Sequence, residues 1–266
     1  MALAATTSAD AAACSTAALR RRCLMSWVLL FVVTAANLMQ HHLPAPVPNA
    51  WWDEDGLDMG KHEVQLRQYA GVWVYLTAQI LCILFYYHVL SAVATTWGWP
   101  ERAAYGSSPV CLGLAVVVYS LYMFFWVLMT FFAPRWRDQW TYYERLGYPY
   151  EKMMHVMHNP IWLCPAIDAF YVKDRRKFAL HVPGAAATAA CVASYIAFYA
   201  SFTTWNFWHT ACYVYAWMYE IDRSGYGALG HVAYYATLSV PIVPFVLVVR
   251  ARLLAVPPPA PKVKAG

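Results

Sequence analysis

Residues 109–132, PVCLGLAVVVYSLYMFFWVLMTFF, run for 24 positions without a charged side chain. A helix rising 1.5 Å per residue needs about 20 apolar residues to cross the ~30 Å hydrocarbon core of a bilayer. Similar runs lie on either side. Towards the N-terminus they span about Ala70 to Thr96 and Leu24 to Met39. Towards the C-terminus they span about Met153 to Val172 (broken by Pro160 and Pro165), Ala179 to Phe202 and Ala228 to Val249. The pattern predicts an all-α polytopic integral membrane protein, a bundle of six transmembrane helices. Composition agrees: 61% of the residues are apolar, 17% aromatic and 12% charged, against roughly 25% charged in soluble domains.

The ends of the chain read differently. Residues 1–23 begin with an Ala/Ser/Thr-rich stretch, close with Arg20, Arg21 and Arg22, and are expected to form a disordered cytosolic N-terminus. The first apolar run reads as a signal anchor rather than a cleaved signal peptide, because His41-His42-Leu43-Pro44 follows it in place of a small-x-small site. Residues 24–252 form the transmembrane domain. The Pro-rich basic tail within 253–266 is expected to be disordered and cytosolic. No repeat or second domain is visible.

Six spans place both termini on one side. With a cytosolic N-terminus, twelve of the nineteen Lys and Arg residues are cytosolic, as the positive-inside rule requires. Lys173 to Lys177 is the clearest cytosolic loop, and Asp53, Glu54, Asp55 and Asp58 fall opposite. Trp51, Trp52, Trp136, Trp140, Tyr142 and Tyr143 sit where an interfacial aromatic belt is expected. An endomembrane (endoplasmic reticulum) or plasma-membrane location follows. The net charge of +5 lacks the clustering of a nucleic-acid groove, so nucleic acid is not an expected partner. Seven cysteines without a C-x-x-C pair argue against a disulfide framework or zinc site and read as small buried apolar groups.

Ionisable groups at membrane depth are costly and mark candidate sites. Here they are His155, His158, Asp168 and His209, with the hydroxyl of Thr77 beside them. Thr77 falls about seven residues into the second helix and His158 a similar distance into the fourth, which runs in the same direction, so both lie about 10 Å below the lumenal surface. They are expected to meet in a lipid-accessible pocket. A hydroxyl beside an imidazole is the minimum for nucleophilic acyl transfer. The plainer readings are back-bonding of Thr77 within its own helix and a packing role for His158. His155 and His158 share a helix face, a spacing that also suits metal ligation. A bis-His haem would need His209 or His88 from a second helix. Asp168 lies about 15 Å beyond His158 and reads as a cytosolic-side partner for Arg175, Arg176 or a helix end.

The residues also carry a resemblance. Gly71-Val-Trp73-Val-Tyr75-Leu76-Thr77 resembles the G-x-W-K-[FY]-L-T motif of the androgen-induced, FAR-17a-like family. Phe125-Trp126, His155-Val-Met-His158 and Thr210-Ala-Cys-Tyr213-Val214-Tyr215 resemble that family's F-W, N-H-x-M-H-T and T-G-x-W-V-Y segments, in the same order. Asp168 stands where the family carries Glu. Met154 replaces the Asn before the first His, and Asn159 the Thr after the second.

The family consists of six-helix membrane threonine hydrolases that cleave fatty acid esters of hydroxy fatty acids. The resemblance implies Thr77 as nucleophile and His158 as base, a lipid substrate from the bilayer, and no cofactor or metal. His155, Asn159 and Asp168 are candidate supporting residues, with Asn159 and Tyr75 as candidate oxyanion donors. Two other classes stay open: a metal- or haem-binding membrane oxidoreductase, and a non-catalytic lipid-binding, regulatory or structural membrane protein.

Overall fold

The computed structural model describes residues 8–42, 44–47, 58–132, 137–215 and 217–255. Among them the regular elements are all helical. The long helices are α1 (Ser8–His41), α3 (Leu76–Trp97), α5 (Ser108–Phe131), α7 (Tyr150–Ile167), α9 (Ala185–Thr210) and α11 (Gly227–Leu254). Five short helices connect them: α2 (Met59–Leu66), α4 (Glu101–Gly106), α6 (Asp138–Arg145), α8 (Arg175–His181) and α10 (Trp217–Arg223).

By length and composition, α1, α3, α4 with α5, α9 and α11 are able to cross a membrane. Their surfaces support that reading. An apolar stretch of α11 is only 12% buried, and Phe31, Trp208, Leu229, Val232 and Val240 point outward. Water does not tolerate so continuous an apolar surface, whereas lipid covers it without cost. The chain is therefore an α-helical polytopic membrane protein.

Helix α7 is different. It is packed among α1, α3 and α5, and it carries Glu151, Lys152, His155 and His158. The main core forms around it. Leu29, Val33 and Ala36, one face of α1 at i, i+4, i+7, meet Leu81 and Leu84 of α3, Ala115 and Val118 of α5, and Ile161 of α7. Gly113 sits where α11 crosses α5, and a Cβ there would run into Val246. The small residue sets how closely those helices approach.

Several boundaries depart from the sequence expectations. Helix α1 begins at Ser8, well before Leu24. Alanine and arginine are good helix formers, and an established apolar helix propagates into such a stretch more readily than a new one nucleates. Residues 8–23 are thus helical rather than disordered. Residues 1–7 and the tail beyond 255 lie outside the described residues.

The second run opens with a 3-10 turn, Gly71–Val74, in which Gly71 has φ +53°. Tyr75 is then extended, and α3 starts only at Leu76. Thr77 is therefore the second residue of its helix rather than about the seventh. The fifth span runs from Ala185 to Thr210 instead of Ala179 to Phe202, because Pro183-Gly184 separates α8 from α9. Two prolines also shape α7. Pro160 and Pro165 each lack the N–H that a helix interior uses. Beyond Pro165 the chain widens into a π-turn, Asp168–Val172, closed by the Lys173 N–H donating to the Asp168 carbonyl at 2.9 Å.

The aromatic belt is partly reassigned. Trp140, Tyr142 and Tyr143 are buried, in a second core beneath α2 and α6 with Tyr75, Tyr122 and Tyr150. Helix α6 folds over the end of the bundle, so these rings fill a cap rather than face headgroups. Trp51, Trp52, Trp136 and Asp53 to Asp55 lie outside the described residues.

Candidate active site

The first turn of α3 places Thr77 against the middle of α7, with Thr77 Oγ1 3.0 Å from His158 Nε2. The other ring nitrogen of His158, Nδ1, lies 2.7 Å from the Met154 carbonyl one turn back. A carbonyl only accepts hydrogen bonds, so Nδ1 carries the proton and Nε2 presents its lone pair. The Thr77 hydroxyl must then be the donor to Nε2. This is the tautomer a general base requires, set by the backbone of its own helix. His158 is buried, and Thr77 is half-buried at the edge of the bundle.

Tyr122 of α5 completes the surroundings. Its ring lies flat on the His158 imidazole, with centroids 3.8 Å apart and planes 13° off parallel. Its hydroxyl lies 2.8 Å from His155 Nδ1. The two histidines of H-x-x-H thus share Tyr122, His158 through its ring and His155 through its hydroxyl. Four residues on from Tyr122, Trp126 donates to Glu151 Oε1 at 3.0 Å, and Arg137 donates to Glu151 Oε2 at 2.8 Å. The first bond fastens the start of α7 to α5, and the second fastens it to the start of α6. Tyr122→Phe keeps the stacked ring and loses the bond to His155. It is expected to lower turnover less than tenfold, whereas Tyr122→Ala lowers it much further. Steady-state kinetics of both variants separate the two contributions.

The turn that presents Thr77 is held from the cap. The Tyr75 hydroxyl donates to Glu63 Oε2 at 2.7 Å and the Tyr143 hydroxyl to the same oxygen at 2.8 Å. Arg67 in turn donates to the Tyr143 hydroxyl at 3.1 Å. Glu63 is fully buried. Burial alone would raise its carboxyl, but the neighbouring His62 imidazole and the two phenol hydroxyls outweigh it and hold it below its ordinary 4.5. A carboxyl lowered in the folded state stabilises the fold above its unfolded value, and that contribution is lost as the pH falls through the folded value. Glu63→Gln should therefore melt well below the wild type at pH 7, with the gap narrowing below about pH 4.5. Thermal unfolding in detergent at the two pH values measures this.

The remaining expected residues fall elsewhere. Asn159 is exposed on α7 and is not placed as an oxyanion donor. Tyr75 is committed to Glu63. Asp168 is fully buried at the far end of α7, in an ion pair with Lys173 at 2.8 Å. It accepts from Tyr87 and Ser91 at 2.6 Å each. Its partner is therefore Lys173 rather than Arg175 or Arg176. Lys173, expected in an exposed loop, is buried because the π-turn carries it back under α4. His209 is exposed, its Nδ1 against the Trp205 carbonyl. His88 is buried on α3. Among the described residues, no three His, Cys, Asp or Glu side chains are arranged to hold a metal ion.

Sequence reasoning passed over Tyr122 and Glu63. Tyr122 sits inside the uninterrupted apolar run 109–132, where no polar pattern marks it. Glu63 follows the acidic group Asp53 to Asp58 in a segment outside the apolar runs, where no pattern sets it apart.

Fold and site together define a helical membrane protein with a Thr–His pair at the edge of its bundle. Searches of protein-family models, curated proteins and solved structures find no match to the chain.

Proposed function

We infer that this protein is a membrane-embedded hydrolase of the androgen-induced, FAR-17a-like kind, cleaving the ester bond of fatty acid esters of hydroxy fatty acids. The observation that carries the reading is the Thr77 Oγ1 to His158 Nε2 contact of 3.0 Å, with Nδ1 engaged by Met154. The motif resemblance supplies the substrate class. In this reading α7, continued by its π-turn, is the sixth crossing, and both termini face the cytosol of an endoplasmic reticulum or plasma membrane.

The lipid approaches sideways from the bilayer, its chains against the apolar and aromatic walls. Thr77 Oγ attacks the ester carbonyl while its proton passes to His158 Nε2. The tetrahedral intermediate collapses, the ester C–O bond breaks, and His158 returns that proton to the departing hydroxy fatty acid. Water then attacks the acyl-Thr77, giving its proton to His158. The Thr77 Oγ–acyl bond breaks, Oγ is reprotonated, and the fatty acid leaves. The backbone N–H groups of Thr77 and Ala78 in the first turn of α3, which lack intrahelical acceptors, supply oxyanion donors in place of Asn159 and Tyr75. The chemistry needs neither metal nor cofactor, and its partners are the membrane and its lipids rather than nucleic acid.

Purified protein in detergent tests the reading. Wild type should hydrolyse a fatty acid ester of a hydroxy fatty acid and react covalently with a fluorophosphonate probe. His158→Ala, if equally well folded, should do neither at a comparable rate. A well-folded wild type that neither hydrolyses nor labels overturns the hydrolase reading. Bound metal or a Soret band would then turn attention to the oxidoreductase class.

A further inference from the structure

A cavity of about 430 Å³ opens at the turn between α6 and α7. Tyr148 and Pro149 line it from the turn, Glu144 from α6, and Glu151, Lys152 and His155 from α7. Glu144, Pro149 and Lys152 are exposed, whereas His155 is half-buried. The cavity therefore runs inward from a charged, solvent-facing rim to an imidazole. At about 30 Å³ per molecule it has room for on the order of ten waters.

Its inner end lies close to the dyad. His155 precedes His158 by one helical turn, and its Nδ1 is 2.8 Å from the Tyr122 hydroxyl. The other face of the same tyrosine unit is the ring stacked on His158 at 3.8 Å. One side-chain pair, His155 with Tyr122, thus separates the charged-rimmed cavity from the base.

The proposed chemistry makes such a cavity useful, and the argument rests on that reading. While an acyl chain occupies Thr77, the lipid-facing side of the dyad is filled with hydrocarbon. Deacylation still needs a water beside His158 Nε2. We propose that the α6–α7 cavity is the aqueous vestibule that supplies the deacylating water, with His155 and Tyr122 as the gate between vestibule and dyad. In the step it serves, the water oxygen bonds the acyl carbon and one water proton passes to His158. The Thr77 Oγ–acyl bond then breaks, and that proton returns to Oγ. Acylation needs no water and does not depend on the vestibule.

That asymmetry supplies the test. Lys152→Cys in the full-length protein is modified with a bulky charged methanethiosulfonate, and the same preparation is compared before modification, after it, and after removal of the adduct by reductant. Wild type carried through the same steps controls for the native cysteines. The readouts are fluorophosphonate labelling, which reports attack by Thr77, and the time course of nitrophenol release from 4-nitrophenyl octanoate. The expected result is unchanged labelling, steady-state release at least tenfold slower and preceded by a burst, and recovery on reduction. A quantitative adduct that leaves turnover unchanged, or that slows labelling and turnover in parallel, overturns the vestibule. Protein that neither labels nor turns over before modification instead overturns the hydrolase reading beneath it.

Discussion

Thr77→Ala is expected to lower ester hydrolysis by at least about a thousand-fold and to abolish fluorophosphonate labelling, while the protein stays folded. Removing a nucleophile from a covalent mechanism removes the route itself, and the losses measured for such residues run from about 10⁴ to 10⁶. The structural cost is small by comparison. Thr77 is half-buried and donates one hydrogen bond, to His158, a contribution of about 1 kcal/mol. Thr77→Ser keeps the hydroxyl and should retain measurable turnover, because the first turn of α3 presents Oγ in the same direction. A Thr77→Ala protein that hydrolyses within tenfold of wild type would show that the contact is structural rather than catalytic.

Asp168→Ala should cost the fold about 3–5 kcal/mol, the range for breaking a buried ion pair by removing one partner. Lys173 Nζ, almost wholly buried, would keep its bonds to the Tyr87 hydroxyl at 2.8 Å, the Ala104 carbonyl at 2.7 Å and Ser108 Oγ at 2.9 Å. It would lose the only opposite charge described within reach. The cost comes from leaving an ammonium uncompensated in a low-dielectric interior, so deleting both charges should be gentler than deleting one. The double variant Asp168→Ala/Lys173→Met is expected to melt above Asp168→Ala alone. Thermal unfolding in one detergent compares them, and a double variant no more stable than the single would refute the pair as the cause. Fluorophosphonate labelling of the folded fraction should be unaffected in either variant, because Asp168 lies about 15 Å along the helix from His158.

The apolar runs were legible because their signal is local. Whether 24 uncharged residues prefer lipid to water depends on their summed transfer free energy, and no neighbour alters that. The helical class and the five long apolar helices follow from it directly. The boundaries followed less well where a single backbone feature intervened. Gly71 and the extended Tyr75 delayed α3 until Leu76, and Pro183-Gly184 moved the start of α9 to Ala185.

The chain order of Thr77, His155 and His158, with their spacing inside neighbouring spans, was enough to nominate a pair. A separation of 81 residues is closed only by the packing of α7 between α1, α3 and α5. The same packing decides features with no local signature. Tyr122 covers His158 because α5 turns that face towards α7, although nothing in the apolar run 109–132 marks it. Lys173, in a run of four basic residues and an aspartate, read as an exposed loop, yet the π-turn after Pro165 buries it against Asp168. Trp140, Tyr142 and Tyr143 read as interfacial rings, yet α6 folds them over the bundle end around Glu63. The sequence alone determined that the chain is an α-helical membrane protein, since the preference of a long apolar run for lipid is a property of that run. Only the tertiary structure decided which polar groups meet, because a buried hydroxyl, imidazole or carboxylate is set by the partner that another helix brings to it.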